Sequence, residues 1–165
     1  MKIIGHDPYC SPERADQLGV ELFERVEDVL ARADFITVHL PKTPETIGMF
    51  GPEEFAAMKD GVVLINAARG GIVDETALAA ALERGVIRGA AIDNFESEIP
   101  SPGNPLLRLS PEARRRVLFS PHLAGVTRAA FARLIRQAIG NLENSLRGLP
   151  PQFSVNGLSS IRPSA

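Results

Sequence analysis

The segment VVLINAARGGIVD, residues 62–74, decides the fold of this chain. It begins with a short apolar run rich in β-branched residues, which is too brief for a helix and predicts a buried strand. The two glycines after Arg69 allow a sharp turn, and Asp74 is a typical residue to precede the first turn of a helix. We therefore predict a strand, a turn and a helix start, with Arg69 at the carboxyl end of the strand.

Arg69 is the first candidate site residue. In an open parallel sheet, ligands bind along the edge where the carboxyl ends of the strands lie. A guanidinium placed there can engage both oxygens of a carboxylate with its planar fork of donors. The alternative is an arginine bonded to loop carbonyls or to a surface acid, and for this residue taken alone we favour that alternative.

Composition excludes several classes of protein. The chain has 165 residues, 44% of them hydrophobic, with a formal net charge of −2 and a single cysteine, Cys10. This is a single-domain length, the only basic cluster is residues 114–116, and no apolar run approaches the ~20 residues of a membrane span. We expect no nucleic-acid partner, no internal disulfide and no membrane insertion. Because the N-terminus lacks the apolar length of a signal peptide, we expect a cytoplasmic protein.

Strand and helix patterns alternate along the chain. We predict strands at 2–5, 20–23, 35–40, 62–65, 89–93 and 117–120. The intervening helices carry recognisable ends, with Ser11 and Gly19 bounding the first, Asp74 and Gly85 a later one, and Thr127 opening a long one. Residues 94–116 read as a long loop with one helical turn.

This alternation predicts an α/β fold of the Rossmann-like, doubly wound type, with a parallel sheet and right-handed crossovers. The almost continuously apolar run 35–40 is typical of a strand buried on both faces. We expect residues 1–149 to form this domain and residues 150–165 to form an extended tail.

Five groups of residues follow directly on predicted strands. Because the carboxyl ends of parallel strands lie at one edge of a sheet, which we call the rim, all five groups are expected there. They are Asp7, Leu40-Pro41, Ala67-Ala68-Arg69, Asp93, and Ser120-Pro121-His122. Their coincidence is stronger evidence for a ligand site than any one of them.

The polar members of the rim each have two interpretations. Asp7 can accept hydrogen bonds from ribose hydroxyls and repel a 2′-phosphate, or it can be a turn aspartate before proline. Asp93 can accept from a carboxamide or cap a turn. Thr43 and Thr46 can bond a ligand, although threonines in a proline-rich loop usually bond their own backbone.

His122 is the candidate acid/base residue. A histidine near its ordinary pKa of ~6.5 can take a proton from a hydroxyl and return it, provided that a carboxylate such as Glu98 or Glu96 orients the ring. The alternative is a histidine bonded to loop carbonyls, beside glutamates that are simply solvated. We expect His6 and His39 to pack beside strand ends, and no spacing of cysteine and histidine indicates a metal site.

Five motifs, in order, give the chain a family resemblance. They are Asp7-Pro8-Tyr9, DFITVHLP at 34–41, NAARGGIVDE at 66–75, RGAAID at 88–93 and SPHLAG at 120–125. Together they resemble the D-isomer-specific 2-hydroxyacid dehydrogenases, which include phosphoglycerate, glycerate and D-lactate dehydrogenases. The resemblance extends from Met1 to about Gly157, and five motifs in the family's order are far more specific than one short pattern.

The resemblance implies a role for each motif. Arg69 would hold the substrate carboxylate, His122 would be the general acid/base, and Glu98 would pair with the imidazole, since five residues after the strand-end aspartate is the family's usual offset. The implied cofactor is NAD rather than NADP, the substrate a small D-2-hydroxy or 2-keto acid, and the assembly a homodimer. The implied cofactor contacts are Asp7, Leu40, Pro41, Thr46, Ala67, Ala68, Arg69, Asp93, His122, Ala124 and Gly125.

The chain also departs from the family pattern. Asn94 stands where an apolar residue is usual, and Ile99 separates Glu98 from the proline that normally follows it. The family's first strand, its glycine-rich phosphate loop, the next helix and most of the substrate domain would lie upstream of Met1.

The absence of that first strand has physical consequences. We expect a gap between the strand ending at Asp7 and the one ending at Ala67, which leaves two apolar edges with unpaired backbone groups. Either the two strands close up, or a partner chain fills the gap, or the chain is loosely folded. Without the helix N-terminus that binds pyrophosphate, NAD binding by the chain alone is expected to be weak or undetectable.

Two rival functions remain open. A related corepressor family keeps this fold and much of this pattern, so the chain can instead be a non-catalytic, NAD(H)-sensing or protein-interaction module. A remnant without function is the third interpretation.

Overall fold

The computed structural model describes residues 1–152. Within them the strands are β1 (Ile3–Gly5), β2 (Val20–Leu22), β3 (Phe35–Val38), β4 (Val62–Asn66), β5 (Ile87–Ile92) and β6 (Val117–Phe119). The helices are α1 (Pro12–Leu18), α2 (Val26–Leu30), α3 (Pro52–Ala57), α4 (Glu75–Glu83), α5 (Pro111–Arg114) and α6 (Arg128–Leu146), with a 3₁₀ turn at Pro105–Leu107. The predicted alternation of strands and helices is confirmed, and the predicted loop 94–116 gains that 3₁₀ turn.

The helix ends lie where the sequence placed them. The Ser11 hydroxyl accepts a hydrogen bond from the Arg14 amide at 3.2 Å, and Gly19 ends the same helix with a φ of +66°. Asp74 Oδ1 accepts from the amides of Thr76 and Ala77 at the start of α4. These caps satisfy amides that the helices themselves leave unpaired.

The strands form two parallel sheets. One contains β1 and β2, and the other has the order β3-β4-β5-β6. Phe35 pairs with Val63 and Val38 with Asn66, so β4 has a hydrogen-bonded neighbour on each side. The prediction that a gap adjoins the strand ending at Ala67 is therefore wrong, because β3 occupies that place and carries the open edge.

β3 also corrects the expectation of a strand buried on both faces. Ile36 and Val38 are buried, whereas Phe35 is 58% exposed and Thr37 is exposed. The guanidinium carbon of Arg88 lies 5.9 Å from the centre of the Phe35 ring. Within residues 1–152 one face of this edge strand is therefore largely exposed.

The core lies around β4 and α4. Val62 and Leu64 are buried on β4, and the alanine-rich helix α4 buries Leu78 and Leu82 completely. The small alanine side chains let α4 pack closely in the core. Because β4 and α4 are both held there, the turn that joins them in the segment 62–74 is fixed as well.

The described part of the chain divides into two compact units, one of residues 1–121 and one that begins at residue 122. The second unit contains α6, whose amide at Ala130 is capped by the Thr127 hydroxyl. All of the residues of α6 keep some solvent exposure, including its apolar stripe. The predicted boundary at 149/150 stays a prediction, and residues 153–165 of the predicted tail lie outside the described part. No helix in the described part combines the length and the apolar character that crossing a membrane demands.

Candidate active-site rim

The turn after β4 is built by two glycines with different tasks. Gly71 has a φ of +85°, which only glycine adopts without strain, so it makes the turn. Gly70 has no such φ, but a Cβ on it would lie 1.7 Å from the carbonyl oxygen of Phe95. The first glycine therefore lets the turn rest directly on the backbone of the next loop.

Arg69 lies at the tip of this turn, as predicted. Its side chain is exposed, and Nη1 donates a 2.7 Å hydrogen bond to the carbonyl of Ala68. This is the loop-carbonyl bond that the sequence offered as the alternative. A guanidinium has five N–H donors, so this single bond still leaves a fork for a carboxylate.

The loop that carries Glu96 and Glu98 is held at both ends by Glu75. One oxygen of the Glu75 carboxylate accepts from the Glu96 amide at 2.6 Å, and the other accepts from the Asn104 side-chain amide at 2.5 Å. Sequence reasoning identified Glu75 only as the start of a helix. Its partner Asn104 is 29 residues away, so no local signal could have revealed the bond.

The two candidate acids on that loop differ in position. The Cγ of Glu96 would lie 3.7 Å from a Cβ on Gly71, so Glu96 is beside the Arg69 turn. Glu98 is exposed two residues further on, between Ser97 and the 86% exposed Ile99. The choice between them as the partner of His122 remains a prediction.

A second polar contact joins the ends of β5 and β6. The Ser120 hydroxyl donates a 2.5 Å hydrogen bond to the carboxylate of Asp93, and the Asp93 amide donates to the Asn66 carbonyl. The side-chain oxygen of Asn66, which is 2% exposed, accepts from the Ala68 amide at 3.2 Å. Ala67 and Ala68 are thus fixed at the rim by the strand that precedes them.

Asp7 follows β1 by two residues, in the turn after the strand, and its side chain is exposed. Its Oδ1 accepts a 2.9 Å hydrogen bond from the amide of Tyr9, which is the turn role given as the alternative. The imidazole of His6 bonds the Phe23 carbonyl at 3.1 Å, in keeping with the packing role expected for it.

Leu40 and Pro41 lead from β3 into a loop closed by Thr46. The Thr46 hydroxyl donates to the Pro41 carbonyl at 2.7 Å and accepts from the Thr43 amide at 2.8 Å. The Thr43 hydroxyl and a backbone amide lower the pKa of the Glu45 carboxyl in the same loop. The threonines therefore bond their own loop here, as the alternative interpretation held.

His122 begins the second unit with a left-handed backbone. Its φ of +53° makes it the one non-glycine residue with a positive φ within residues 1–152. Ala124 and Gly125 follow it, all three residues are exposed, and the Thr127 amide closes a turn onto the Gly125 carbonyl. Strained backbone of this kind costs about 1–2 kcal/mol and often occurs at functional sites.

A cleft between β1 and β3 lies next to the rim. It has a volume of about 900 Å³ and is lined by residues 1–7 on one side and 34–41 on the other. The exposed carboxylate of Asp7 can accept hydrogen bonds from the ribose of adenosine, and Leu40 and Pro41 offer an apolar surface beside it. The pyrophosphate fits less well, because among the described residues the cleft is lined by one glycine, Gly5 of β1, and by no glycine-rich turn.

The chain is similar in sequence to the proteins of one known family. Residues 1–124 match the model of the NAD-binding domain of D-isomer-specific 2-hydroxyacid dehydrogenases. The D-3-phosphoglycerate dehydrogenase of Archaeoglobus fulgidus is 46% identical over 164 residues, which are 99% of this chain and 30% of that protein. That of Mycobacterium leprae is 45% identical over 157 residues, 94% of this chain and 28% of that protein.

Solved structures agree in fold. The holo form of Rhodotorula graminis D-mandelate dehydrogenase superposes with a TM-score of 0.85 at 28% identity, over 99% of this chain and 46% of that one. The D-lactate dehydrogenase of Aquifex aeolicus, in complex with NAD and lactic acid, superposes with a TM-score of 0.80 at 28% identity. The match covers 99% of this chain and 51% of that one. The chain thus spans about half of these structures and less than a third of the curated relatives above.

Proposed function

The chain belongs to the D-isomer-specific 2-hydroxyacid dehydrogenases, as its motifs predicted, and on that premise we propose that it forms the nicotinamide side of an NAD-dependent dehydrogenase acting on a small D-2-hydroxy or 2-keto acid. One observation carries the proposal. The Arg69 turn follows a strand that is paired on both sides, and Gly70 seats it on the loop of the candidate acids. A carboxylate-binding group held this firmly can fix a substrate in one orientation.

The chemistry assigns one task to each residue. Arg69 binds the carboxylate of the substrate, which presents C2 and its oxygen in a fixed direction. His122 protonates that oxygen as the keto acid is reduced, and takes the proton back in the reverse direction. Glu98 orients the imidazole and stabilises its charged form. NAD, when bound, supplies or accepts the hydride at C2.

Binding of the cofactor is assigned to the rim. We propose that Asp7 accepts from the adenosine ribose, and that Asp93 accepts from the carboxamide. The remaining contacts come from Leu40, Pro41, Thr46, Ala67, Ala68, Ala124 and Gly125. We also propose a homodimer in the cytoplasm, as the family resemblance implies.

A protein-interaction module on the same fold is the rival function. It is favoured by α6, whose apolar residues Phe131, Leu134 and Leu142 are each about 60% exposed. An exposed apolar stripe of this length is typical of an interaction surface.

A transplant separates the two functions. We would replace the matching 164 residues of the Archaeoglobus fulgidus enzyme by this chain and measure NADH oxidation with 2-keto acids, including the one that corresponds to D-3-phosphoglycerate. We expect turnover, reduced about 10²–10⁴-fold by His122→Ala through loss of proton transfer. Arg69→Ala should raise KM, and Arg115→Ala, which removes another exposed arginine, is the matched control. A folded hybrid without turnover, or variants equal to the parent, would favour the interaction module.

A further inference from the structure

Glu75 joins the two ends of the loop that carries Glu98. Its Oε1 accepts a hydrogen bond from the Glu96 amide at 2.6 Å, and its Oε2 accepts one from the side-chain amide of Asn104 at 2.5 Å. When extended, the chain between these two partners could span ~26 Å. One carboxylate therefore closes residues 96–104, which we call the acid loop, into a compact surface loop.

Inside the acid loop, the hydrogen bonds are short-range. The Ser97 hydroxyl donates to the Ile99 carbonyl at 3.2 Å, and the Arg108 guanidinium, just beyond the loop, donates to the Pro102 carbonyl at 3.0 Å. Glu98 lies between Ser97 and Ile99, and all three residues are exposed, so packing does not hold this part of the loop. The position of Glu98 therefore depends on how the ends of the loop are held.

The residues that hold the acid loop belong to the same segment as Arg69. α4 begins at Glu75 and buries its Leu78 completely, so the helix gives the carboxylate a fixed base. At the other end of the segment, Gly70 rests on the carbonyl of Phe95, directly before the acid loop. The segment that presents Arg69 thus contacts the acid-bearing part of the chain twice, by close packing at Gly70 and by hydrogen bonds at Glu75.

A second glutamate on α4 makes a comparable pair of bonds elsewhere. Glu83 lies ~12 Å along the helix from Glu75. Its carboxylate accepts from the Ser110 amide at 2.6 Å and from the Ser110 hydroxyl at 2.8 Å. Because Ser110 is the residue that caps α5, these bonds connect α4 to α5 and leave the acid loop untouched. Glu83 is therefore a matched reference for the loss of a glutamate with two hydrogen bonds.

We propose that Glu75 is a positioning residue for the dehydrogenase reaction: by closing the acid loop, it holds Glu98 where this acid serves His122. The inference rests on the proposed function, in which Glu98 orients the imidazole. Glu75 directs its two oxygens at donors of the acid loop, so its contribution is geometric and it exchanges no proton with the substrate. A misplacement of about 1 Å can cost about 10²-fold in rate, so the loss of Glu75 should be visible in kcat.

The two partners of Glu75 permit a rescue by exchange of donor and acceptor. Glu75→Gln keeps the shape of the side chain but replaces one acceptor oxygen by an NH₂ group, which must face a donor of either Glu96 or Asn104. Asn104 cannot simply reverse its amide, because its oxygen accepts from the Leu106 amide at 2.9 Å. Adding Asn104→Asp puts an acceptor in place of that donor. In this double variant the introduced glutamine donates to the introduced aspartate and still accepts from the Glu96 amide.

The test measures kcat and KM of the hybrid enzyme described above, with NADH and a 2-keto acid. We expect Glu75→Gln to lower kcat at least about tenfold and to change KM less than about twofold, because Arg69 keeps its own turn. The double variant with Asn104→Asp should recover kcat to within about threefold of the parent. Glu83→Gln is the matched control and should leave both constants unchanged.

A double-mutant cycle decides whether Glu75 acts through Glu98. In a Glu98→Gln background the acid that orients the imidazole is already lost, so Glu75→Gln should lower kcat by less than about a further twofold. The same loss of kcat in both backgrounds would mean that Glu75 acts by another route, and would overturn the proposal.

Hydrogen exchange in the 165-residue chain gives a readout that needs no activity. Glu75→Gln should speed exchange of the Glu96 amide at least about tenfold, and the double variant should restore the parent rate. Glu83→Gln should leave this amide unchanged. If Glu75→Gln does not fold, Asn104→Asp alone opens the loop in its place, because it sets a second carboxylate against that of Glu75.

The failure of this inference and the failure of the proposed function give different results. A folded hybrid without turnover overturns the proposed function, and the inference with it. An active hybrid in which Glu75→Gln keeps the kcat of the parent, or loses no more than Glu83→Gln does, overturns the inference alone. Unchanged exchange of the Glu96 amide in Glu75→Gln would also overturn it, because the acid loop would then be held by other contacts.

Discussion

Gly70 and the carbonyl of Phe95 are in direct contact, since a Cβ on the glycine would lie 1.7 Å from the carbonyl oxygen. The contact joins the turn that presents Arg69 to the loop that carries Glu96 and Glu98. It explains how two segments far apart in sequence keep one geometry at the rim.

Gly70→Ala should therefore destabilise the protein. Neither backbone can move without disturbing a buried neighbour, so we expect a loss of about 2–3 kcal/mol in the free energy of unfolding, as for other overpacked sites. Gly103→Ala is the matched control, because its Cβ would meet only side-chain atoms at 3.6 Å or more. Chemical denaturation measures both variants, and equal stabilities would contradict the contact.

Two buried asparagines should respond in opposite directions. The side-chain nitrogen of Asn94 is buried without a partner in the described part of the chain, whereas the side-chain oxygen of Asn66 accepts from Ala68. An unmade buried hydrogen bond costs about 1–3 kcal/mol. We expect Asn94→Leu to raise the free energy of unfolding by about 1 kcal/mol and Asn66→Leu to lower it by at least as much. A loss of stability in Asn94→Leu would indicate an unseen partner.

Short-range signals predicted most of the fold. The caps at Ser11 and Asp74 and the left-handed Gly19 depend on residues no more than four apart, so the sequence alone places the helix ends. The sequence also predicts which residues lie at the rim, because all strands of a parallel sheet run in the same direction.

Long-range pairing could not be predicted in the same way. The apolar run 35–40 suits a central strand as well as an edge strand, and nothing in it reveals that β3 lies between β4 and the cleft. The hydrogen bond between Glu75 and Asn104 depends on the path of the loop that joins them, which local sequence does not predict. The same holds for the contact between Gly70 and the Phe95 carbonyl. For Gly70 the sequence predicted the right residue for an incomplete reason, because packing rather than φ demands the glycine.

Stability should depend on pH through Glu83. The amide of Ser110 donates to the Glu83 carboxylate at 2.6 Å and its hydroxyl at 2.8 Å, and these bonds lower the pKa of Glu83 from its ordinary 4.5. A lowered pKa in the folded state contributes stability above the unfolded value, which is lost as pH falls through the folded value. We expect Glu83→Gln to be less stable than the parent at about pH 7 and the difference to shrink below about pH 4.5. A difference that is the same at both pH values would refute this linkage.

Binding of NAD by the isolated chain should be weak. The described lining of the cleft offers Asp7 to a ribose but no glycine-rich turn to the pyrophosphate. We therefore expect dissociation constants of about 1 mM or weaker by calorimetry, with adenosine, AMP and NAD nearly equal because the phosphates gain little. Micromolar NAD binding, or a strong preference for AMP over adenosine, would mean that phosphate is bound elsewhere on the chain.

The left-handed backbone of His122 should reverse the usual order of stability between alanine and glycine variants. At most positions alanine is more stable than glycine by about 0.5–1 kcal/mol, because glycine loses more entropy on folding. At a φ of +53° the Cβ of any other residue is crowded, so His122→Gly should be more stable than His122→Ala by about 1 kcal/mol in denaturant unfolding. In the hybrid enzyme, however, both variants should lose turnover about equally, because neither can transfer the proton. The usual order of stabilities would mean that the backbone at residue 122 relaxes in solution. Turnover retained by either variant would mean that the imidazole is not the acid/base group.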